Sequence, residues 1–298
     1  MSDALQGKTC LITGATFGIG KETALGLARH GARVVIIGRD AGRTAETVRW
    51  LRQEAGNHQI DFLLADLSSQ AEVRRVADEF RRTQDRLDVL INNAGAIFTK
   101  RETTVDGFER TWALNHLAYV LLTLELLDRL KASAPARVIN VASKAHAGAA
   151  LDFDDLQSAR NYSGFKTYSR SKLANILFTY ALARRLDGAG VSANCLHPGV
   201  VATGIARNMN GLFRLVFATV KPWLTTPEQG AATSIFLASS AKAAGVSGKY
   251  FDKCKPARSS DASYDVGAQE RLWDVSLQQT GMTWPPSPGG AAAAGGRR

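Results

Sequence analysis

Tyr168 and Lys172 are the two residues of this chain whose types and spacing most directly predict chemistry. They stand four positions apart in a stretch with helical patterning, so both side chains lie on one face of a helix. A phenol has a pKa of about 10, and a neighbouring ammonium group favours its ionised form. The pair therefore predicts a general acid and base that exchanges a proton with a carbonyl or alcohol oxygen. Chance spacing and surface packing are the alternative interpretation.

A serine is predicted to join this pair at the edge of a sheet. Ser143 follows the apolar run Arg137-Val138-Ile139-Asn140-Val141, so it lies at the carboxyl end of a predicted strand, where open α/β sheets bind their ligands. Its hydroxyl can donate a hydrogen bond to a carbonyl oxygen on which negative charge develops. Capping of a helix or a turn is the alternative role for Ser143.

A glycine-rich turn near the amino terminus predicts that a dinucleotide binds. The strand Thr9-Cys10-Leu11-Ile12-Thr13 runs into Gly14-Ala15-Thr16-Phe17-Gly18-Ile19-Gly20, where a helical pattern begins. The glycines let the backbone approach a pyrophosphate, whose charge is met by the N–H groups at the start of the helix. The spacing differs from the commoner G-x-G-x-x-G, and a purely structural turn is the alternative.

The residues after the second strand predict which dinucleotide this is. The chain has Gly38-Arg39-Asp40 where NAD-binding folds usually place an acidic residue that holds the adenosine ribose. The guanidinium group of Arg39 can pair with a 2′-phosphate, whereas a carboxylate at that position would repel it. Asp40 stands one residue later and can cap the next helix. We therefore expect NADP(H), with a solvated surface arginine as the alternative.

The elements that must position these residues alternate regularly between strand and helix, which indicates a parallel sheet covered on both faces. The fold class is thus α/β, a single doubly wound Rossmann-like domain with a parallel sheet of about seven strands, over residues 1–284. The Pro-, Gly- and Ala-rich residues 285–298 are predicted to be a disordered tail. Strands are predicted at 9–13, 33–37, 59–64, 87–91, 137–141, 191–196 and 249–251, and helices at 19–30, 42–55, 69–83, 107–131, 164–187, 227–238 and 264–279.

The composition argues against several classes of function. The 298 residues include 37 Lys and Arg against 27 Asp and Glu, but the charges are interspersed along helical stretches, so we expect no nucleic-acid partner. The three cysteines and five histidines have no ligand spacing, so no disulfide framework and no metal are expected. No apolar stretch precedes Gly7, so we predict no signal peptide, membrane anchor or transmembrane segment and a cytoplasmic location.

Taken together, the motifs resemble the short-chain dehydrogenase/reductase family over roughly residues 7–280. They are Thr13-Gly14-x-x-x-Gly18-Ile19-Gly20, Asn92-Asn93-Ala94-Gly95, Asn115, Ser143, Tyr168-x-x-x-Lys172 and Pro198-Gly199. Further segments resemble the retinol dehydrogenase branch, which interconverts retinal or other apolar aldehydes and their alcohols, usually with NADP(H). They are Ala145-His146, Ser171-Lys172-Leu173-Ala174-Asn175, His197-Pro198-Gly199-Val200-Val201 and Tyr250-Phe251. Neither His146 nor His197 receives a role from the sequence.

The resemblance implies a role for each matching residue. Tyr168 is the general acid in reduction and the base in oxidation, Lys172 lowers its pKa and binds the nicotinamide ribose, and Ser143 holds the carbonyl oxygen. Asn115 holds a water that relays protons, with capping or a backbone contact as its alternative; Asp66 meets adenine, with capping of the next helix as its alternative. The implied cofactor-binding residues are Gly14, Thr16, Phe17, Gly18, Ile19, Gly20, Arg39, Asp66, Leu67, Asn93, Ala94, Gly95, Tyr168, Lys172, Pro198, Gly199, Val200 and Thr203.

Residues 204–226 are rich in apolar side chains and lie where the family places its substrate-binding lid, which predicts an apolar substrate. A core helix or a helix on a membrane surface is the alternative, so a peripheral membrane contact stays open. The function expected is an NADP(H)-dependent carbonyl reductase or alcohol dehydrogenase. Two alternatives remain: a weakly catalytic NADP(H)-sensing protein, and different chemistry such as double-bond reduction on the same fold. The helices at 107–131 and 164–187 are expected to supply the face of a homodimer, as in relatives.

Overall fold

The computed structural model describes residues 4–199 and 225–285, and its strands follow the apolar runs of the sequence. The eight strands of the described residues are β1 Thr9–Thr13, β2 Arg33–Gly38, β3 Ile60–Leu64, β4 Val89–Asn92, β5 Ala136–Val141, β6 Val191–His197, β7 Tyr250–Asp252 and β8 Lys255–Ala257. Every residue of β1, and all of β2 after its first residue, is buried. Runs of this kind form because a parallel sheet covered on both faces exposes neither face to water.

The strands form one sheet in the order β3-β2-β1-β4-β5-β6-β7-β8. The first seven pair in parallel, which confirms the predicted α/β fold with its doubly wound sheet. β8 pairs antiparallel with β7 and was not predicted, because its three residues Lys255-Pro256-Ala257 carry no apolar run. The strand order reverses between β1 and β4, and such a reversal opens a crevice at the carboxyl ends of the strands where ligands bind.

Helices cover both faces of this sheet. Those of the described residues are α1 Gly18–Arg29, α2 Ala41–Ala55, α3 Gln70–Thr83, α4 Arg110–Trp112, α5 Ala118–Glu125, α6 Leu127–Ala132, α7 Gly164–Arg185, α8 Pro227–Ser239 and α9 Val266–Thr280. Helices α1, α2 and α8 share one apolar core with the sheet, and α3, α5, α6, α7 and α9 share the other. Asp40 caps α2 by accepting a 2.8 Å hydrogen bond from the backbone N–H of Arg43, as the sequence predicted.

The prediction of one continuous helix over 107–131 is wrong. The chain instead forms α4, a π-helical turn at Ala113–Leu117, α5 and α6. Glu109 begins α4, because its carboxylate accepts hydrogen bonds of 2.8 and 2.7 Å from the backbone N–H groups of Thr111 and Trp112. The π-helical turn contains Asn115, and π-helical turns inside α-helices are frequent at functional sites.

Helix α9 covers the surface that was expected to form a dimer face. All eight residues of α5 are buried, and α9 packs on both α5 and α7. The ring of Trp273 stacks on Phe178 of α7 with centroids 5.6 Å apart, and the Ser276 hydroxyl lies 2.9 Å from Nε2 of His116. Helix α9 of the same chain therefore packs on both helices that were expected to supply the dimer face, and the homodimer stays a prediction.

Several sequence predictions fall on residues outside the described ranges. They are the cofactor contacts of Val200 and Thr203, most of the lid at 204–226 and all but the first residue of the tail at 285–298. Within residues 4–199 and 225–285, no helix combines the length and the apolar character needed to cross a bilayer.

Candidate active site

Tyr168 and Lys172 lie on one face of α7 at the carboxyl edge of the sheet. Their exposed fractions are 8% and 3%, so both polar groups are taken out of bulk water. The Lys172 Nζ donates a 2.8 Å hydrogen bond to the carbonyl of Val141, the last residue of β5. It lies 5.7 Å from the centroid of the Tyr168 ring. The predicted pair is thus brought together, and the lysine is tied to the strand that precedes the predicted serine.

Ser143 directly faces Tyr168. Hydrogen bonding with the Ser143 hydroxyl acts to lower the pKa of the phenol, and the Ser143 Oγ accepts a 3.2 Å hydrogen bond from the backbone N–H of Ala145. Ser143 is the residue that precedes the short 3₁₀ helix Lys144–Gly148, with extended backbone. The alternative role of Ser143 as a turn cap is therefore present, and its contact with a substrate carbonyl oxygen stays a prediction.

Asn115 lies deeper in the same cluster and is fully buried. Its amide oxygen accepts a 2.9 Å hydrogen bond from the N–H of Ala96. Its amide nitrogen donates hydrogen bonds of 3.0 Å to the carbonyl of Ala96 and of 3.0 Å to the Ser171 hydroxyl. A Cβ atom added at Gly95 would lie 3.3 Å from both the Asn115 Oδ1 and the Lys172 Nζ. Because Gly95 has no side chain, the loop after β4, the π-helical turn and Lys172 can approach one another closely.

The electrostatics of this cluster differ from the sequence expectation. Burial raises the pKa of Tyr168, and the hydrogen bond with Ser143 only partly opposes it. Burial also lowers the pKa of Lys172 to about 7. The sequence argument assumed that the lysine ammonium lowers the pKa of the phenol, but here both groups are desolvated and each favours its neutral form. Burial of the phenol therefore favours its protonated form.

The glycine-rich turn lies beside this cluster, at the end of β1. Gly14 has a positive φ of 66°, and a Cβ there would lie 2.8 Å from the Cα of Ala94. The Asn93 amide donates hydrogen bonds of 2.8 and 3.1 Å to the carbonyls of Thr13 and Gly14. Asn93 was expected to line the cofactor face, but its side chain holds the turn in shape. The close packing at Gly14 lets the backbone of the turn meet a ligand.

Helix α1 begins at Gly18, directly after this turn. The backbone N–H groups of Gly18, Ile19 and Gly20 belong to its first turn and have no partner within the helix. They meet negative charge well, because the helix dipole also places partial positive charge there. Phe17 precedes the helix with its ring 54% exposed. The arrangement fits the pyrophosphate of a dinucleotide.

A cleft of about 540 Å³ continues from this turn along the ends of β2 and β3. The Arg39 guanidinium lies 3.8 Å from a carboxylate oxygen of Asp66, and both side chains are exposed, at 66% and 41%. Asp66 does not cap α3, since the residue that precedes this helix is Ser69. The residues that line the cleft include Gly14, Thr16, Gly38, Arg39, Asp40, Arg43, Asp66, Leu67, Ser68, Ala94 and Arg110.

The ionisation of Asp66 suits a polar ligand site. Although burial acts in the opposite direction, hydrogen bonds from the Ser68 hydroxyl (2.7 Å) and N–H (3.0 Å) and the charge of Arg39 hold the pKa of Asp66 below its usual value. Arg43 in this cleft was not among the predicted site residues. The sequence could have indicated this second cation, because Arg43 stands four residues after Arg39, in the first turn of α2.

The predicted nicotinamide end is described up to Gly199. β6 ends at His197, and Pro198 and Gly199 follow at the same sheet edge as Ser143. Gly199 has a positive φ of 94°, and a Cβ there would lie 2.8 Å from the Thr225 Oγ1. The structure thus brings Asn115, Ser143, Tyr168, Lys172 and the glycine-rich turn together at one edge, with Arg39 and Asp66 at the far end of the cleft.

Comparison with known proteins agrees with this geometry. Residues 8–213 match the short chain dehydrogenase family. Retinol dehydrogenase 12 of Mus musculus is 43% identical over 280 residues, which cover 94% of this chain and 88% of that protein. Retinol dehydrogenase 14 of Mus musculus is 44% identical over 291 residues, which cover 93% and 87%.

Solved structures give the same assignment. An uncharacterised protein of Mycobacterium paratuberculosis superposes with a TM-score of 0.77 at 33% identity, covering 96% of this chain and 99% of that one. The Pseudomonas aeruginosa RhlG/NADP active-site complex gives a TM-score of 0.68 at 32% identity, covering 84% and 95%. The predicted resemblance is confirmed: the chain belongs to the short-chain dehydrogenase/reductase family, in the retinol dehydrogenase branch.

Proposed function

We propose that this oxidoreductase uses NADP(H) to interconvert an apolar aldehyde or ketone and its alcohol. The observation that carries the proposal is the cluster of the half-buried Ser143 with the buried Tyr168 and Lys172 beside the glycine-rich turn. A phenol that faces a hydroxyl and an amine in a half-dry pocket is suited to proton transfer at a carbonyl oxygen. Residues 1–284 form the catalytic domain in this proposal, and the protein acts in the cytoplasm.

The nicotinamide, when bound, supplies the hydride that the carbonyl carbon accepts during reduction. Tyr168 donates its phenolic proton to the carbonyl oxygen, so the product is a neutral alcohol and the enzyme is left with a tyrosinate. The Ser143 hydroxyl donates a hydrogen bond to the same oxygen as negative charge develops on it. Lys172 contacts the nicotinamide ribose and returns a proton to Tyr168, and Asn115 holds the water that connects this lysine to solvent.

The raised pKa of Tyr168 favours the reductive direction. Burial keeps the phenol protonated, and only the protonated phenol can donate to a carbonyl oxygen. Oxidation of an alcohol needs the tyrosinate and is therefore expected to gain rate as the pH rises through the pKa of Tyr168. Reduction is expected to lose rate over the same range of pH.

Arg39 carries the proposed preference for NADP(H), with Arg43 as a second cation in the same cleft. A 2′-phosphate would replace Asp66 as the partner of Arg39, while Asp66 and Leu67 meet the adenine. The glycine-rich turn, the start of α1, Pro198 and Gly199 hold the remainder of the dinucleotide, together with Val200 and Thr203. The RhlG complex, whose structure resembles this chain, contains NADP, which supports the same choice here.

The relatives support an apolar substrate. Proteins with 43% and 44% identity over nearly the whole chain are named retinol dehydrogenases, so a retinal-like aldehyde is the first candidate. The apolar residues of 204–226 fit the same substrate class. Phe165 lies in the first turn of α7, three residues before Tyr168, and is 60% exposed. It therefore adds apolar surface close to the phenol.

The test measures NADPH consumption by the purified protein with retinal, medium-chain aldehydes and aromatic aldehydes, with NADH in parallel. We expect turnover of apolar carbonyls and a kcat/KM at least about tenfold higher with NADPH, because a charged hydrogen bond contributes about 1.5–3 kcal/mol. Tight NADPH binding without turnover of any carbonyl would contradict the proposal and favour a cofactor-sensing protein. Consumption of NADPH only with conjugated double bonds would favour the alternative chemistry.

A further inference from the structure

His146 occupies a position that the reaction scheme above does not use. It lies in the 3₁₀ helix after Ser143 and is only 3% exposed. Its Nδ1 lies 2.6 Å from the Ser143 carbonyl oxygen, and its Nε2 accepts a 3.0 Å hydrogen bond from the backbone N–H of Ser260. The ring therefore bridges the turn that contains the active-site serine and a distant segment of the chain.

These two contacts determine which nitrogen carries the proton. The N–H of Ser260 can only donate, so the Nε2 of His146 must be unprotonated. The proton is then on Nδ1, which donates to the Ser143 carbonyl. Burial lowers the pKa of His146, which keeps this neutral form. The groups that face the ring are Tyr250, whose ring centroid is 5.2 Å away, and the nearby imidazole of His197.

The segment that His146 contacts also holds α7. The Tyr180 hydroxyl of α7 lies 2.8 Å from the Ser259 Oγ, which lies 2.6 Å from the Ser263 Oγ. Tyr180 follows Tyr168 by twelve residues on the same helix. One segment of the chain thus connects the serine, through His146, to the helix that contains the phenol and the lysine, through Tyr180.

A second histidine fixes the same turn from the other side. The Nδ1 of His197 accepts a 3.2 Å hydrogen bond from the backbone N–H of Lys144, the residue after Ser143. The Lys144 ammonium forms a 2.8 Å ion pair with Asp252 at the end of β7. The peptide group between Ser143 and Lys144 is consequently held at both of its polar atoms, because His146 bonds its carbonyl and His197 accepts from its N–H.

We propose that His146 is a positioning residue for the reaction, which acts by holding the Ser143 hydroxyl against Tyr168 and the substrate oxygen. The inference rests on the proposed function, because it needs Ser143 to contact the reacting carbonyl. Displacements of about 1 Å at such a donor can cost about a hundredfold in rate. Loss of the bond from Nδ1 to the Ser143 carbonyl therefore lowers kcat more than loss of the bond at Nε2.

Two substitutions distinguish the contributions of the two ring nitrogens of His146. The amide of Asn is attached where Nδ1 stands, so His146→Asn keeps a donor for Ser143 and loses the acceptor for Ser260. The amide of Gln reaches as far as Nε2, so His146→Gln keeps the acceptor and loses the donor. The two variants are matched controls, since each removes one buried hydrogen bond and both are expected to lower Tm by similar amounts.

The expected result is a decrease in kcat of about tenfold to a hundredfold for His146→Gln and of less than about threefold for His146→Asn. The Kd for NADPH, from its fluorescence, stays at the wild-type value in both. The hydrogen bond with Ser143 lowers the pKa of Tyr168, so His146→Gln also moves the rise of alcohol oxidation to higher pH. Equal kcat values for the two variants, with an unmoved pH profile, would overturn the inference.

Two further measurements keep the test decisive. If His146→Gln does not fold, Tyr180→Phe loosens the same segment while it keeps the ring, and kcat is expected to fall about threefold or more with unchanged NADPH binding. A wild-type kcat in Tyr180→Phe then overturns the inference. If the wild-type protein turns over no carbonyl, the proposed function fails. If it turns over carbonyls and His146→Gln matches it, only the role of His146 fails.

Discussion

The two ends of the candidate site are built in different ways. At the proposed adenosine end, Arg39 and Asp66 are 66% and 41% exposed and lie 3.8 Å apart. At the catalytic end, Asn115 is completely buried, Lys172 is 3% exposed, and each makes hydrogen bonds of 2.8–3.0 Å to named partners. One end is a set of charges in water, and the other is a network of desolvated groups.

This contrast separates the basis of cofactor choice from the basis of the chemistry. An exposed ion pair contributes about 0–1 kcal/mol, so Arg39 can exchange Asp66 for a phosphate at little cost. A buried polar group that loses its partner costs about 1–3 kcal/mol, so the catalytic groups are held in one arrangement. Choice of cofactor should therefore respond to single charges, whereas the chemistry should respond to small changes of geometry.

The largest effect is expected at the buried end, from Tyr168→Phe. This substitution removes one oxygen and keeps the ring, so the fold and the dinucleotide cleft stay intact. Loss of the proton donor is expected to lower kcat for carbonyl reduction by about 10²–10⁴-fold. Steady-state NADPH oxidation measures the rate, and fluorescence titration with NADPH measures the Kd, which should remain unchanged.

Substitution of Tyr162, which lies two residues before α7, gives the control for this prediction. Tyr162 hydrogen bonds to the carbonyl of Phe98 at 2.8 Å, outside the cluster of Ser143, Tyr168 and Lys172. Tyr162→Phe therefore removes a phenolic oxygen without removing the proposed acid. If Tyr168→Phe keeps more than about a tenth of the wild-type kcat, proton donation by this residue is excluded and the buried end loses its proposed role.

An intermediate effect is expected at the exposed end, from Arg39→Ala. The ratio of kcat/KM with NADPH to that with NADH should fall by about tenfold to a hundredfold, because one charge-assisted contact to the 2′-phosphate is lost. The kcat at saturating NADPH should stay close to wild type, since the change lies far from the hydride. Parallel kinetics with both cofactors measure the ratio.

The matched control lies at the start of β2, the strand that Arg39 follows. Arg33 begins β2, at the end remote from the cleft, and its ion pair with Asp61 is also exposed, with a separation of 3.6 Å. Arg33→Ala removes the same charge and should leave the cofactor ratio unchanged. A fall of equal size in both variants would show that net charge, rather than a contact at the adenosine end, sets the preference.

The smallest effect is expected from Glu270→Gln, which tests an exposed cluster on the otherwise buried α7. Glu270 of α9 pairs with Arg184 at 2.6 Å and with Arg185, and its side chain is 42% exposed. Hydrogen bonds from Arg185 and then Arg184 lower the pKa of Glu270 to about 2. Because solvent screens such pairs, we expect a loss of only about 0.5–1 kcal/mol in the free energy of unfolding.

The pH dependence of this contribution has a definite sign. A carboxylate whose pKa is lowered on folding stabilises the protein above its ordinary pKa, 4.5 here, and the stabilisation is lost as the pH falls from there towards about 2. Urea unfolding at pH 7 and at pH 3 should therefore show a smaller difference between wild type and variant at pH 3. A loss of kcat in Glu270→Gln would contradict the division between exposed and buried regions.

Much of the fold followed from local sequence pattern. The apolar runs placed β1 to β7 within two residues, and the glycine-rich turn, Tyr168 and Lys172 were found because their spacing is local and periodic. Asp40 was identified as a helix cap for the same reason. The prediction of one helix over 107–131 was wrong, although it also came from a local pattern. Its apolar periodicity is continuous, and nothing in that pattern indicates the π-helical turn around Asn115.

Long-range contacts explain most of the other differences. Asn93 bonds the carbonyls of Thr13 and Gly14 across nearly eighty residues, and His146 meets Ser260 across more than a hundred. No spacing rule connects such positions, so neither role was visible. The packing of α9 on α5 and α7 was not predicted for the same reason. The pattern of an amphipathic helix shows that one side is apolar, but it does not indicate which surface that side contacts.

Residue types and periods of two and of three to four were enough to predict the order of strands and helices, the residues of the proposed catalytic cluster and the charge at Arg39. The electrostatics of the site depend on tertiary contacts. Burial raises the pKa of Tyr168, which the sequence argument expected to be lowered, and burial also lowers the pKa of Lys172; the tautomer of His146 is set by an N–H from a distant segment. Desolvation depends on what the rest of the chain packs around a group, and that is fixed only when the whole domain has folded.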